Sequence, residues 1–179
     1  TNLANYLVTH FWDDSTNGFF FTSDNHEKLI IRPKNNYDLS MPSGNSVAAY
    51  VLLRLHYITQ DKQFLETTKK IIESQATAAA ENPFAFGYLL NVLYLYHQKP
   101  TEITIINDKN FELVSYLRKK FLPESIMVLV ANKNNLDTLS KYAFFSGKEF
   151  QDDKTSVFVC KNFSCSLPLS DLSEIEKEL

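Results

Sequence analysis

Between residues 45 and 97 the sequence alternates two helical segments that are apolar on nearly every side with one that is apolar on a single face. The first, about Asn45 to Ile58, carries Val47, Ala48, Tyr50, Val51, Leu52, Leu53 and Leu55. A helix apolar all round must be wrapped by other protein. The second, Lys62 to Ala79, places Phe64, Leu65, Ile71 and Ile72 on one face and Glu66, Lys69, Lys70 and Glu73 on the other, as an outer helix does. Pro83 opens a third segment, running to about His97, again apolar on most sides. This inner, outer, inner order with short links is what an α/α toroid requires, because each hairpin gives one helix to the inner ring and one to the outer. Three or four helices make only part of such a ring. Large apolar faces would stay uncovered, which implies further chain at the amino-terminal side, self-association, or another packing.

The elements before and after this block differ in period. Leu3, Tyr6, Leu7, His10 and Phe11 recur at helical spacing and predict a first helix, ended by Asp13, Asp14, Asn17 and Gly18. Gly18 to Phe21 and Leu29 to Arg32 are short β-prone runs around a polar turn, Ser23 to His26, and read as a β-hairpin. Residues 33–41 form an irregular loop, and Ser43 is placed to cap the helix that follows. From Pro100 onward, Glu102 to Asn107 and Ile126 to Ala131 read as buried strands flanking an amphipathic helix marked by Leu113, Val114, Leu117 and Phe121. Such a β-α-β unit implies parallel strands. A helix within 134–146, a strand at Ser156 to Cys160 and a short helix at Asp171 to Leu179, capped by Ser170 or Asp171, complete the expectation. The fold class is therefore α+β: residues 1–99 as helical hairpins of a partial α/α toroid with a short β-hairpin, and residues 100–179 as a small α/β module with a parallel sheet.

Charge excludes some partners. Lysine and arginine total 18 against 21 aspartates and glutamates, a formal net charge of −3, with no basic half. A phosphate-tracking surface needs more than this, so nucleic acid is not an expected partner. The longest apolar stretch, Phe84 to Tyr96, contains Asn91 and falls short of the ~20 residues a membrane span needs. With only Cys160 and Cys165, the chain is far from a secreted disulfide framework, and a reducing cytoplasm is the expected compartment. The chain also begins without methionine, directly in a helical pattern, as a fragment of a larger protein would.

Candidate chemistry concentrates in two places. In the loop Arg32-Pro33-Lys34-Asn35-Asn36-Tyr37-Asp38, Asp38 could act as a general acid or base or hold a sugar hydroxyl. Arg32 and Lys34 could bind a carboxylate or tune Asp38, while Ser43 and Asn45 supply hydrogen bonds at a helix amino terminus. The plainer alternative is that Asp38 pairs structurally with Arg32 and that Ser43 is only a cap. Asp13 and Asp14 after Trp12 put two carboxylates near an aromatic, as sugar chemistry uses, but adjacent residues point in different directions. They read as a helix terminator. Cys160 and Cys165 are the second place. A redox role needs Cα atoms within ~7 Å, and C-x4-C is not the usual redox spacing. The plainer alternative makes them one strand and one turn cysteine, both buried. Zinc lacks local ligands, the scattered His10, His26, His56 and His97 suggest none, and no dinucleotide fingerprint, P-loop or nucleophile elbow occurs. No metal or cofactor is expected.

Several stretches resemble one family, the proteins that carry a thioredoxin-like domain followed by an α/α toroid. They are Phe11-Trp12-Asp13 with Gly18-Phe19-Phe20; Arg32, Lys34 and Asp38 with Pro42-Ser43-Gly44-Asn45-Ser46-Val47-Ala48-Ala49 and Leu52-Leu53-Arg54-Leu55; and Val159-Cys160-Lys161-Asn162-Phe163-Ser164-Cys165 with Pro168 and Asp171. The resemblance implies the last quarter or so of a longer protein and membership of the six-hairpin, glycosidase-like toroid group, which includes sugar epimerases and glycosidases. It implies carbohydrate binding or processing in the intact protein, with Arg32, Asp38 and Asn45 facing a central cavity. The rival reading is a non-catalytic scaffold serving the redox domain. Two positions depart from the family: Leu39 follows Asp38 where glycine is usual, and Asn107 stands where glycine is common.

Overall fold

The computed structural model describes residues 1–27, 30–161 and 164–179. Leu29 of the expected hairpin, and Asn162 and Phe163 of the carboxy-terminal motif, lie outside the described residues. The chain divides into two compact units, Thr1–His97 and Gln98–Leu179.

The first unit is helical. Helix α1 spans Asn2–Phe11, α2 Gly44–Thr59, α3 Lys62–Glu81 and α4 Gly87–Gln98. Each boundary has a local cause. Ser43 Oγ accepts the Ser46 N–H at 3.0 Å and starts α2. Gln60, at φ 60°, closes α2 by donating its N–H to the His56 carbonyl. Asp61 caps α3 through the Gln63 N–H. Pro83, which cannot continue a helix, ends that run and enters a single 3-10 turn, Pro83–Phe86, before α4. The core lies where α2 meets α3 and α4: Leu52, Leu53, Phe64, Ile71, Phe86 and Val92 are fully buried. Each such side chain stabilises the unit by about 1.5–3 kcal/mol relative to exposure. Helix α3 turns its charged face outward, as its single apolar stripe requires. Helices α2 and α4 are only partly enclosed: Val47, Val51, Leu90 and Tyr94 are exposed.

The expected hairpin does not form among the described residues. Phe19 makes a lone antiparallel bridge to Trp12, and Phe21 donates its N–H to the Pro33 carbonyl. Gly18 adopts φ +89°, open to glycine, and an added Cβ would meet Asn45 Oδ1 at 2.9 Å. Asn45 explains the missing strand. Its Oδ1 accepts the Phe19 N–H at 2.6 Å and its Nδ2 donates to the Phe19 carbonyl at 3.0 Å. One side chain thus supplies what a neighbouring strand residue would.

The second unit is a four-stranded sheet in the order β2-β1-β3-β4, with β1 Thr101–Ile106, β2 Ser125–Val130, β3 Ser156–Lys161 and β4 Ser164–Cys165. The pair β1–β2 is parallel around helix α5, Glu112–Leu117, as a β-α-β unit demands. The other two pairings are antiparallel, so the sheet is mixed and the expectation of a parallel sheet is corrected. Period-2 alternation in 156–160 marks a strand but carries no direction. Helix α6 covers only Lys133–Leu139, and a 3-10 turn, Ala143–Phe145, follows it. Helix α7, Leu172–Glu178, is capped by Asp171 through the Ser173 N–H. Ile103, Ile105, Val157 and Val159 face one side of the sheet and pack with Val114, Leu117 and Ile175. Asn107, just after β1, has φ 62°, which accounts for the glycine usual there. Its side chain donates to the Gln151 and Asp152 carbonyls at 2.7 and 2.9 Å.

Candidate functional site

The loop of residues 32–45 holds the residues expected to do chemistry, and each is engaged by the fold. Asp38 is buried, 8 % exposed. Its Oδ1 accepts the Ser43 N–H at 2.7 Å, and its Oδ2 accepts the Tyr88 and Leu89 N–H groups at 2.9 and 3.0 Å. Its own N–H donates to the Ala85 carbonyl at 2.8 Å. The carboxylate therefore caps the first turn of α4 from fifty residues away and holds the residue that caps α2, so one side chain joins two helix starts. Negative charge there is favoured by the free N–H groups and the helix dipole.

Arg32 is not the partner of Asp38. Its Nη2 donates to the Thr22 and His10 carbonyls at 2.6 and 3.3 Å, and its guanidinium lies 4.2 Å from the centre of the Phe20 ring. Lys34 reaches back to Asp13 at 2.6 Å and donates to Thr16 Oγ1 and the Asn17 carbonyl at 2.6 and 2.5 Å. The Lys34 ammonium, and then the hydroxyls of Ser15 and Thr16, hold the Asp13 carboxyl well below the usual carboxylate range. Sequence reasoning assigns Asp13 to helix termination and does not reveal this ion pair. Ser43 is the α2 cap, and Asn45 is occupied by Phe19 and by the Asn35 carbonyl. Arg32, Lys34 and Asp38 thus diverge onto three different backbone segments.

Beside this loop lies an open apolar groove of about 600 Å³ between α1 and α2. Leu3, Leu7, Phe11, Phe20, Val47 and Val51 line it, with Thr1, Asn35 and Asn45 the polar side chains among its walls. Leu3 is 86 % and Val51 46 % exposed. Helical spacing alone marks Val47 and Val51 as core; the structure leaves them at the groove.

In the second unit, Cys160 and Cys165 face each other across β3 and β4 and are joined by a disulfide, their Cα atoms 3.9 Å apart. The reading of two buried cysteines is corrected for one of them: Cys160 is buried, while Cys165 is exposed. A two-residue strand pairing directly onto β3 is what brings them together. Among the described residues no group of three or more His, Cys, Asp or Glu side chains could hold a metal ion, and no helix is long and apolar enough to cross a membrane.

Fold and sites together define an α+β protein of two units. In one, a polar loop joins helix starts beside an open apolar groove; in the other, a mixed sheet carries a cross-strand cysteine pair. No family model matches the chain. It is homologous to spermatogenesis-associated protein 20. The human protein is 26 % identical over 174 residues, covering 94 % of this chain and 22 % of its own length, and that of Rattus norvegicus is 25 % identical over 174 residues with the same coverage. An uncharacterised protein of Caenorhabditis elegans is 25 % identical over 173 residues, 93 % of this chain and 23 % of its own. The chain spans less than a quarter of the length of the curated relatives it matches.

Proposed function

We propose that this chain is a structural packing module of a longer protein of the spermatogenesis-associated protein 20 kind. Its helical unit offers the α1–α2 groove as the seat of a further helix of the same polypeptide. The observation that carries this reading is the groove itself: about 600 Å³, almost wholly apolar, and flanked by exposed Leu3, Val47 and Val51. Val47, Val51 and Leu55 follow one another at i, i+4 and i+8, a stripe suited to ridge-into-groove packing by a helix. The occupant is assigned to the same polypeptide because the relatives extend to more than four times the matched length. Inner and outer helix faces in the order α2, α3, α4 fit an incomplete α/α toroid, which such a helix would extend.

A carbohydrate-directed activity, epimerase-like or glycosidase-like, is the further reading that the toroid resemblance raises, together with service to a thioredoxin-like domain. Sugar recognition needs several polar groups converging on one cavity. Asp38, Arg32, Lys34, Ser43 and Asn45 are instead directed to backbone partners, so the packing role is the better supported of these.

Hydrogen exchange tests the proposal on the protein purified from its natural source, with the isolated 179-residue chain as reference. Slower exchange of α1 and the first three turns of α2 in the natural protein is expected, with the isolated chain binding an apolar dye that Val51→Asp displaces. Equal exchange in both, with no dye binding, overturns it.

A further inference from the structure

The sheet face that carries Cys160 also carries the half-buried carboxyl of Glu102, and the buried Lys148 packs against Phe158 of that face; the packing role uses neither charge. Glu102 on β1 is directly opposite Cys160 on β3. Opposed residues of an antiparallel pair project to the same face with Cβ atoms ~5 Å apart, so Glu102 and Cys160 stand side by side on one face. Thr104 and Phe158, the next opposed pair on that face, extend the site; the buried Thr104 hydroxyl has no hydrogen-bond partner. Lys148 is buried, donates to the Phe144 carbonyl, and places its ammonium 5.5 and 5.8 Å from the centres of the Phe144 and Phe158 rings. Burial pushes the Glu102 carboxyl up, against the pull of Lys148, and pushes the Lys148 ammonium down, against the pull of Glu102. A carboxyl raised in this way can hold a proton where most carboxylates cannot.

We infer that Cys160 and Cys165 form a thiol–disulfide exchange site that takes a dithiol reductant, with Cys165 the attacked sulfur, Cys160 the leaving sulfur and Glu102 its proton donor. The asymmetry of burial dictates the order. Only Cys165 is open to an incoming thiolate, and the sulfur displaced from it is Cys160, 2 % exposed. The reductant's thiolate bonds to Cys165 Sγ, the Cys160–Cys165 bond breaks, and its electron pair leaves on Cys160 Sγ. A bare thiolate in that apolar setting is costly, and the Glu102 carboxyl neutralises it by giving up its proton. The carboxylate so formed is stabilised by the pull of the Lys148 ammonium. The reductant's second thiolate then attacks its own sulfur in the mixed disulfide and releases Cys165 as a thiolate that takes a proton from water. The products are the oxidised dithiol and two free cysteines.

Thiol trapping with a mass-shifting maleimide on the full chain tests this, because the helical unit and its groove hold no cysteine and report separately. Dithiothreitol should reduce the native pair to completion, at a rate within tenfold of that in urea. The monothiol glutathione should stall as a mixed disulfide on Cys165. Glu102→Gln, which keeps shape and size, should slow native reduction at least about tenfold, general acids contributing ~10²-fold or more. In single-cysteine variants, Cys165 should be labelled rapidly in Cys160→Ser and Cys160 only after unfolding in Cys165→Ser. A native rate more than tenfold below the rate in urea makes the bond a structural staple and overturns the proposal without any variant. Equal labelling of the two single cysteines, or an unchanged rate in a folded Glu102→Gln chain, overturns it as well.

Discussion

Replacing Asp38 by asparagine separates architecture from chemistry at the most suggestive residue of the chain. The carboxylate accepts three main-chain N–H groups at 2.7, 2.9 and 3.0 Å while buried. Asparagine keeps one oxygen, which can serve either Ser43 or the Tyr88–Leu89 pair, and turns an NH₂ toward the donors left over. Leaving one buried N–H unsatisfied costs about 1–3 kcal/mol. Losing the negative charge at the start of α4 adds about 0.3–2 kcal/mol. The expected loss is therefore about 1–5 kcal/mol, and Asp38→Ala, which orphans all three donors, should lose about 3 kcal/mol or more. The assay is urea unfolding followed by fluorescence of Trp12, the only tryptophan and a residue of the helical unit. With an m-value of about 1 kcal/mol/M, the Asp38→Asn midpoint should fall by roughly 1 M or more. A change below about 0.5 kcal/mol would refute the capping argument. Asp38 would then be available for the catalytic part its sequence context suggests.

Two further outcomes follow from the same unit. Gly18→Ala should destabilise it by about 1–3 kcal/mol in the same Trp12 assay, because φ +89° strains an L-residue and the new methyl meets Asn45 Oδ1 at 2.9 Å; an unchanged midpoint would contradict that contact. The Asp13 carboxyl is lowered first by the Lys34 hydrogen bond, so its contribution is present above pH 3.8, the ordinary aspartate value, and is lost as pH falls through the folded value below it. Lys34→Met should accordingly begin acid unfolding at a higher pH than wild type in a titration from pH 6 to pH 2. Coincident acid transitions would show that the pair does not bias folding.

The helices are legible in the sequence because their signals are local. Periodicity places α1, α2 and α3 within a residue or two, and Ser43 and Pro83 mark boundaries readable in the residues themselves. What escapes depends on partners distant in sequence. Asp38 stands out as an acidic residue before a helix, yet its donors at 88 and 89 lie fifty residues on. The run from Gly18 to Phe21 has β-prone composition, and its failure to become a strand follows from Asn45, 26 residues away, satisfying Phe19 on both backbone atoms. The direction of β3 and the bonding of Cys160 to Cys165 are tertiary pairings that alternation and spacing do not encode. Lys148 is one lysine in a polar stretch; only burial against Phe144 and Phe158 distinguishes it.

The Asp38 contact has an evolutionary corollary. All three of its donors are main-chain amides, so any residue but proline at positions 43, 88 and 89 serves equally well as a donor. The contact itself sets no demand on the side chains at those positions, Ser43 being held by its cap on α2 and Leu89 by the core instead, and comparison of related sequences would find an invariant acid with no covarying mate, a pattern easily mistaken for a catalytic one.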